Sequence, residues 1–245
     1  MRILSIDTSC ASLQVALTQD GTVLYESTAN YKKTHSVKLM PEIERALASC
    51  GMTASEIDMI ACVNGPGSYT GLRIGVATGK LLAYSLAIPF VTVKTPDFLA
   101  ASSGITDDTY LCACIDARNT QMFYAIYKAG GGEVFPKRIS EYKAGAADAL
   151  CDELLALPEE LQGKTVCFTG DGVVSNRMLL KNRLGSRYRE APSANLLGRA
   201  SFAGLLAEHQ YRSAADKMDF SPERAEVFYL RTPQLTVKKN GGKTV

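Results

Sequence analysis

Between Gly71 and Ala87 small residues return every fourth position: Gly71, Gly75, Gly79, Ala83 and Ala87. In a helix of 3.6 residues per turn they form one ridge along one face. Glycines inside a helix cost about 1 kcal/mol each relative to alanine. Something must offset that cost, and close approach of another backbone is the physical candidate. The approaching element belongs either to the same chain or to a partner subunit. Arg73 and Lys80 fall on a neighbouring face, where both could stay exposed at its edge.

The ridge follows a strand-like run, Met59 to Val63, and the loop Asn64-Gly65-Pro66-Gly67-Ser68-Tyr69-Thr70-Gly71. A glycine loop entering a helix invites a phosphate-binding reading, because free N–H groups there attract anions. The specific fingerprints fail. Thr70 stands where a dinucleotide motif needs its last glycine. Gly75 to Lys80 is one residue short of a P-loop, and Leu81 follows where Ser or Thr would hold magnesium.

The pattern upstream predicts three antiparallel strands: Met1 to Ile6, Leu13 to Leu17 and Val23 to Ala29, with a hairpin turn at Asp20-Gly21. Leu39, Ile43 and Leu47 recur at helical spacing within 36–50, and Pro41 there implies a kink or a late start. The ridge helix runs to Ala87, Pro89 ends it, and Phe90 to Val93 is the next strand. Strands alternating with helices indicate an α/β layer with a mixed sheet. Polar residues from Ser102 to Asp108 mark a domain boundary. Beyond it Ile115-Asp116, a polar turn and the strand Met122 to Tyr127 repeat the opening Ile6-Asp7, turn and strand, just under half a chain length later. The expectation is two related halves facing across a cleft, residues 1–104 and 105–232, with 233–245 as a disordered tail. Ala144 to Leu157 and Ser193 to Gln210 read as helices, Val166 to Thr169 as a strand, and Gly170-Asp171-Gly172 as a turn.

Composition excludes several roles. With 27 Lys and Arg against 25 Asp and Glu in 245 residues, the chain lacks the bulk positive charge for strong autonomous RNA binding. The uncharged stretch Leu81 to Val93 is too short to span a bilayer. Asp7 interrupts the apolar start before a signal-peptide core could form. Seven cysteines, an odd number without a C-x-x-C, read as reduced thiols in a cytoplasmic protein. His35 and His209 are far apart, so no zinc site follows from spacing, and no metal or cofactor is expected.

Other candidates remain two-sided. Asp7, ending the first strand, suits either a metal-nucleotide in a cleft or a turn. His35, flanked by Lys32 and Lys33, is expected exposed and not catalytic. Ser68 is not in a nucleophile elbow, since Gly67 directly precedes it. Arg177, Lys181, Arg183, Arg187 and Arg189 could touch an RNA backbone or simply form a solvated face.

Gly65-Pro66-Gly67-Ser68-Tyr69-Thr70-Gly71-Leu72-Arg73-Ile74-Gly75 closely resembles the signature of the TsaB family of bacterial tRNA threonylcarbamoyladenosine biosynthesis proteins. Ile6-Asp7-Thr8-Ser9, His35-Ser36, Ile115-Asp116-Ala117-Arg118 and Tyr229-Leu230-Arg231 also match that pattern. The resemblance implies an actin-like/Hsp70-like ATPase (ASKHA) fold of two α/β half-domains. It also implies a partnership with the paralogous catalytic subunit TsaD and the ATPase TsaE, in transfer of threonylcarbamoyl from its adenylate to the adenosine next to the tRNA anticodon. TsaD-like proteins carry an H-x-x-x-H metal pair where Thr95 and Leu99 stand here, and Leu99 cannot ligate. The nucleotide loops depart too. Thr8 follows Asp7 and Ala117 follows Asp116 where glycines are usual, while Gly170 and Gly172 retain part of the adenosine-side turn.

The resulting expectation is a non-catalytic, cytoplasmic accessory subunit without peptidase activity, touching tRNA only indirectly or within the complex. Leu39, Ile43, Leu47, Gly71, Gly75, Gly79 and Ala83 are its expected partner interface, a surface that could also make a homodimer when TsaD is absent. Gly65, Pro66, Gly67, Ser68, Thr70, Gly71 and Arg73 form the signature loop. Asp7, Asp116, Gly170 and Gly172 mark a vestigial nucleotide cleft. The rival is an ATP-binding kinase or ATPase, with Asp7 and Asp116 holding magnesium and phosphates.

Overall fold

Asp20 and Gly21 both take positive φ, 49° and 79°, closing the hairpin between β2 (Leu13–Gln19) and β3 (Thr22–Ala29). The computed structural model describes residues 1–30, 35–156 and 164–231. The expected tail and the end of the helix expected to reach Leu157 lie outside the described residues. β1 (Arg2–Asp7) pairs antiparallel with β2 and parallel with β4 (Met59–Gly65), which pairs parallel with β5 (Phe90–Lys94). The parallel strands are reached through α1 (His35–Ser49) and α2 (Tyr69–Leu86), giving the order β3-β2-β1-β4-β5.

After α3 (Thr95–Ser102) the arrangement recurs. β6 (Tyr110–Asp116) pairs antiparallel with β7 (Gln121–Lys128), which carries β8 (Lys137–Arg138) and β9 (Lys143–Ala146) on its other side. α4 (Ala147–Leu155) precedes β10 (Val166–Thr169), and α5 (Asp171–Leu184) precedes β11 (Tyr188–Glu190). β10 pairs parallel with both β6 and β11, so the order β11-β10-β6-β7-β8 mirrors the first sheet. The repeated hairpin visible in the sequence extends to a repeated sheet. This is the actin-like/Hsp70-like ASKHA architecture.

Three apolar layers hold it together. α3 and α6 (Ala200–Ser213) contribute to the middle one, where Phe98, Leu99, Ala203 and Leu206 join Ile3 and Val63 of the first sheet and Ile115 and Tyr127 of the second. Leu39, Ile43 and Val76 of α1 and α2 cover the other face of the first sheet, against Leu4, Ile6 and Phe90. Leu150, Leu154 and Leu180 of α4 and α5 cover the second, against Cys112 and Phe168. Strands covered on both faces are apolar on both, which is why β1 and β4 read as continuous runs.

Some boundaries differ from expectation. α1 already begins at His35 and contains Pro41. The N–H that Pro41 lacks would have bonded the carbonyl of Val37, an exposed residue, so the helix tolerates it. Residues 143–146 form an edge strand against β7, delaying α4 to Ala147. Ser193–Asn195 is a separate 3-10 turn, and α6 starts only at Ala200. Asp171, expected in a turn, opens α5. After α6 the chain makes two short turns, Lys217–Phe220 and Pro222–Arg224, and continues as a strap.

Candidate functional site

The signature loop joins β4 to α2. Ser68 is the N-cap, its hydroxyl accepting from Gly71 N at 3.3 Å. The backbone of this segment presses on the turn after β1: Ser68 N donates to Ser9 O at 2.7 Å, and the Thr8 hydroxyl donates to Gly71 O at 2.7 Å. A Cβ on Gly67 would collide with Ser9 O, on Gly71 with Thr8 O, and on Gly75 with the Thr8 hydroxyl. On Gly79 it would stand 2.6 Å from the Phe90 ring. The ridge therefore packs against the chain's own sheet, the first of the two alternatives left open by sequence. Gly71, Gly75, Gly79 and Ala83 are buried, as are Leu39 and Ile43, with Leu47 half-buried against the same core. The residues expected at a partner interface thus face inward, because the apolar stripe of each helix covers the sheet. The outward faces of α1 and α2 present Val37, Met40, Leu81 and Tyr84 to solvent instead. Arg73 and Thr70 are exposed as well.

Asp7 ends β1 fully buried. Its Oδ1 accepts from Ser9 N at 2.8 Å, while Oδ2 has no partner among the described residues. Burial pushes its carboxyl up to about 6; the bonds from Ser9 and the nearby His35 pull down, and the charge of Asp171 pushes up. Asp171 is itself raised, mainly by burial, despite accepting from Asp116 N at 2.9 Å. Cys10 is raised by burial and then by the charges of Asp171 and Asp7. His35, expected exposed, is half-buried with Nε2 3.2 Å from Cys10 O, since the α1 start folds back on the first turn. The structure thus gathers Asp7, Asp116 and Asp171 between the two halves; Asp171 had been missed, hidden in an apparent turn.

The second half repeats the closure. A Cβ on Gly170, at φ 97°, would strike Cys114 O, and on Gly172 it would crowd Ile115 and Cys114 backbone. A magnesium-nucleotide needs open donor groups at these turns. Here Ser68 N donates to Ser9 O, and among the described residues no three His, Cys, Asp or Glu side chains stand close enough together to hold one metal ion. Thr95 and Leu99 are both buried in α3, and Thr95 Oγ1 has no partner among the described residues.

The strap was invisible to periodicity. Only Tyr229-Leu230-Arg231 hinted at it. Phe228 N donates to Asn64 O at 2.8 Å, and Asn64 Nδ2 to Glu226 O at 2.8 Å. Gly65, at φ 121°, leaves room for Phe228 O. Lys80, expected exposed, is half-buried and donates to Glu223 O and Ala225 O. Arg73 lies over the Tyr69 ring and donates to Tyr229 OH at 3.0 Å. Farther on, Phe228 meets Tyr142 edge-on and Arg231 donates to Gln121, so the strap touches both halves.

Three arginines of the basic stretch are paired with carboxylates. Arg177 makes two 2.8 Å bonds to Glu190, Arg183 bonds Asp148 and Asp152, and Arg189 bonds Asp107. Arg187 donates to the carbonyls of Leu154 and Lys164. No helix among the described residues is long and apolar enough to cross a membrane.

Comparison with known proteins follows the same lines. The family described as TsaD: tRNA N6-adenosine threonylcarbamoyltransferase matches residues 22–215. A tRNA threonylcarbamoyladenosine biosynthesis protein TsaB from Bacillus subtilis is 32% identical over 238 residues, covering 97% of each chain. TsaB from Haemophilus influenzae is 25% identical over 99% of this chain and 98% of its own. A solved Pseudomonas aeruginosa structure, of an uncharacterized protein with similarity to peptidase YeaZ, superposes with a TM-score of 0.77 at 25% identity, covering 94% of this chain and 99% of that one.

Proposed function

Because the chain belongs to the TsaB group of the TsaD family and so to tRNA threonylcarbamoyladenosine biosynthesis, we propose that it is a non-catalytic subunit supporting TsaD. The observation that carries this reading is the pair Thr95 and Leu99, both buried in α3, where the resemblance to TsaD-like proteins puts the metal-binding histidines. The chain binds TsaD through the outer faces of α1 and α2, using Val37, Met40, Leu81 and Tyr84, which lie on the faces opposite the buried stripes. The same apolar surface makes a homodimer when TsaD is absent. TsaE joins the assembly, in the cytoplasm, and tRNA is held within the complex and not by this chain alone. Thr95 and Leu99 supply no metal ligand, so the transfer chemistry belongs to TsaD.

The test combines a variant with a reconstituted assay. Leu81→Glu with Tyr84→Glu is expected to fold normally and to weaken association with TsaD at least tenfold, about 1.4 kcal/mol. Adding the wild-type chain restores tRNA modification by TsaD and TsaE, and the double variant does not. Undiminished co-purification by a folded double variant overturns the interface. Full modification without this chain overturns the supporting role.

A further inference from the structure

Beneath the strap lies a cavity of about 350 Å³ that neither the turns after β1 and β6 nor the outer faces of α1 and α2 use. Lys94, the last residue of β5, enters its lining beside Asn64. The Lys94 ammonium donates to Asn64 Oδ1 at 3.3 Å and stands 4.4 Å from the centre of the Phe228 ring. Among the described residues no carboxylate lies within ion-pair distance of it, whereas Arg138 and Arg224 nearby pair with Asp97 and Asp219. Asp97, the acid whose charge it feels most, instead accepts from Tyr127 and Tyr142 hydroxyls at 2.7 and 2.6 Å. The cavity mouth carries an exposed ion pair, Arg224 with Asp219 at 2.9 Å, and its walls include the rings of Phe220 and Phe228.

A half-buried cation without a counter-charge costs free energy unless an anion reaches it. We propose that this cavity binds a small organic anion, a carboxylate or a phosphate ester, with its head on Lys94 and Asn64 and its apolar body against Phe220 and Phe228. Burial also pulls the Lys94 ammonium below its usual range, the direction expected of a cation short of compensation. The volume suits a ligand of that size and excludes a polynucleotide. Since its residues are separate from the outer faces of α1 and α2, the site stands or falls independently of the proposed role beside TsaD.

Calorimetric titration of the full chain at constant ionic strength uses benzoate and phenyl phosphate, which share a ring and differ in the head. Saturable binding of at least one is expected, reduced at least tenfold in Lys94→Met and unchanged in the remote control Lys128→Met. Binding of benzoate alone assigns a carboxylate site, and of phenyl phosphate alone a phosphate-ester site. On the wild-type chain, acetylation of Lys94 by acetic anhydride, read by peptide mass spectrometry, slows at least threefold when the ligand is present. No saturable heat with either probe up to about 10 mM, equal binding by Lys94→Met, or unprotected Lys94 overturns the proposal.

Discussion

Thr8 donates its hydroxyl to the carbonyl of Gly71 at 2.7 Å, and one helical turn later Gly75 makes room for that same hydroxyl by having no side chain. The contact locks the N-terminal half of α2 onto the turn after β1. The glycine cost in a helix is offset by backbone approach that no other residue permits.

Gly75→Ala is therefore expected to destabilise the fold by about 2–3 kcal/mol, because the Thr8 side chain has no room to yield in a packed interior. Differential scanning fluorimetry should show a melting point several degrees lower. Ala77→Ser, on the exposed side of the same helix, should change it by no more than about 0.5 kcal/mol.

Asp7 makes stability fall as pH rises. Its carboxyl is raised from an ordinary 3.8 to about 6, so the folded state holds a proton that the unfolded chain has released throughout that window. The stabilisation present below the unfolded value is lost as pH rises through the folded one, by about 3 kcal/mol for a shift of this size. Asp7→Asn keeps an acceptor for Ser9 and removes the charge. The variant should gain melting temperature over wild type at pH 7.5, and the gain should vanish near pH 4. An equal difference at both pH values would refute the assignment.

The strap rests on Asn64 and Phe228. Asn64→Ala removes the side-chain bond to Glu226 O and should cost about 1–2 kcal/mol. The local effect is sharper than the global one: limited trypsin digestion should cut after Arg224 several times faster in the variant, while cleavage in α5 stays unchanged.

ATP with magnesium should give no binding heat on the isolated chain, because Thr8 and Ala117 follow Asp7 and Asp116 where nucleotide-binding turns of this fold carry glycine. Micromolar binding abolished by Asp7→Ala would instead favour the kinase or ATPase reading. Replacing Arg177, Arg183 and Arg189 together should leave weak tRNA binding by the isolated chain unaltered, since each guanidinium already faces a carboxylate.

Much of the framework could be read directly. The Asp20-Gly21 turn, the α2 limits between Ser68 and Ala87 and the recurrence of Ile6-Asp7 as Ile115-Asp116 are local signals, and each corresponds to a local event. What failed was decided by tertiary contact. Periodicity groups Gly71, Gly75, Gly79 and Ala83 on one face but is silent on what that face meets. Residues 143–146 have no strand pattern of their own and become one by pairing with β7. Asp171 looks like a turn residue between two glycines until Gly170 and Gly172 are seen against β6. The strap has no period because its bonds go to Asn64, Lys80 and Gln121, elements made much earlier in the chain.

That order has a consequence for synthesis. A ribosome finishes the first sheet long before it reaches residue 228, so the carbonyl of Asn64, the amide beside it and the ammonium of Lys80 wait in water through most of translation. A nascent chain halted short of Glu223 would carry both sheets yet leave this edge unsealed. The strap thus makes the arrival of residues 223–231 a visible event on the surface of the first half, one that a protease probing newly made chains reads as a sealed or an open edge.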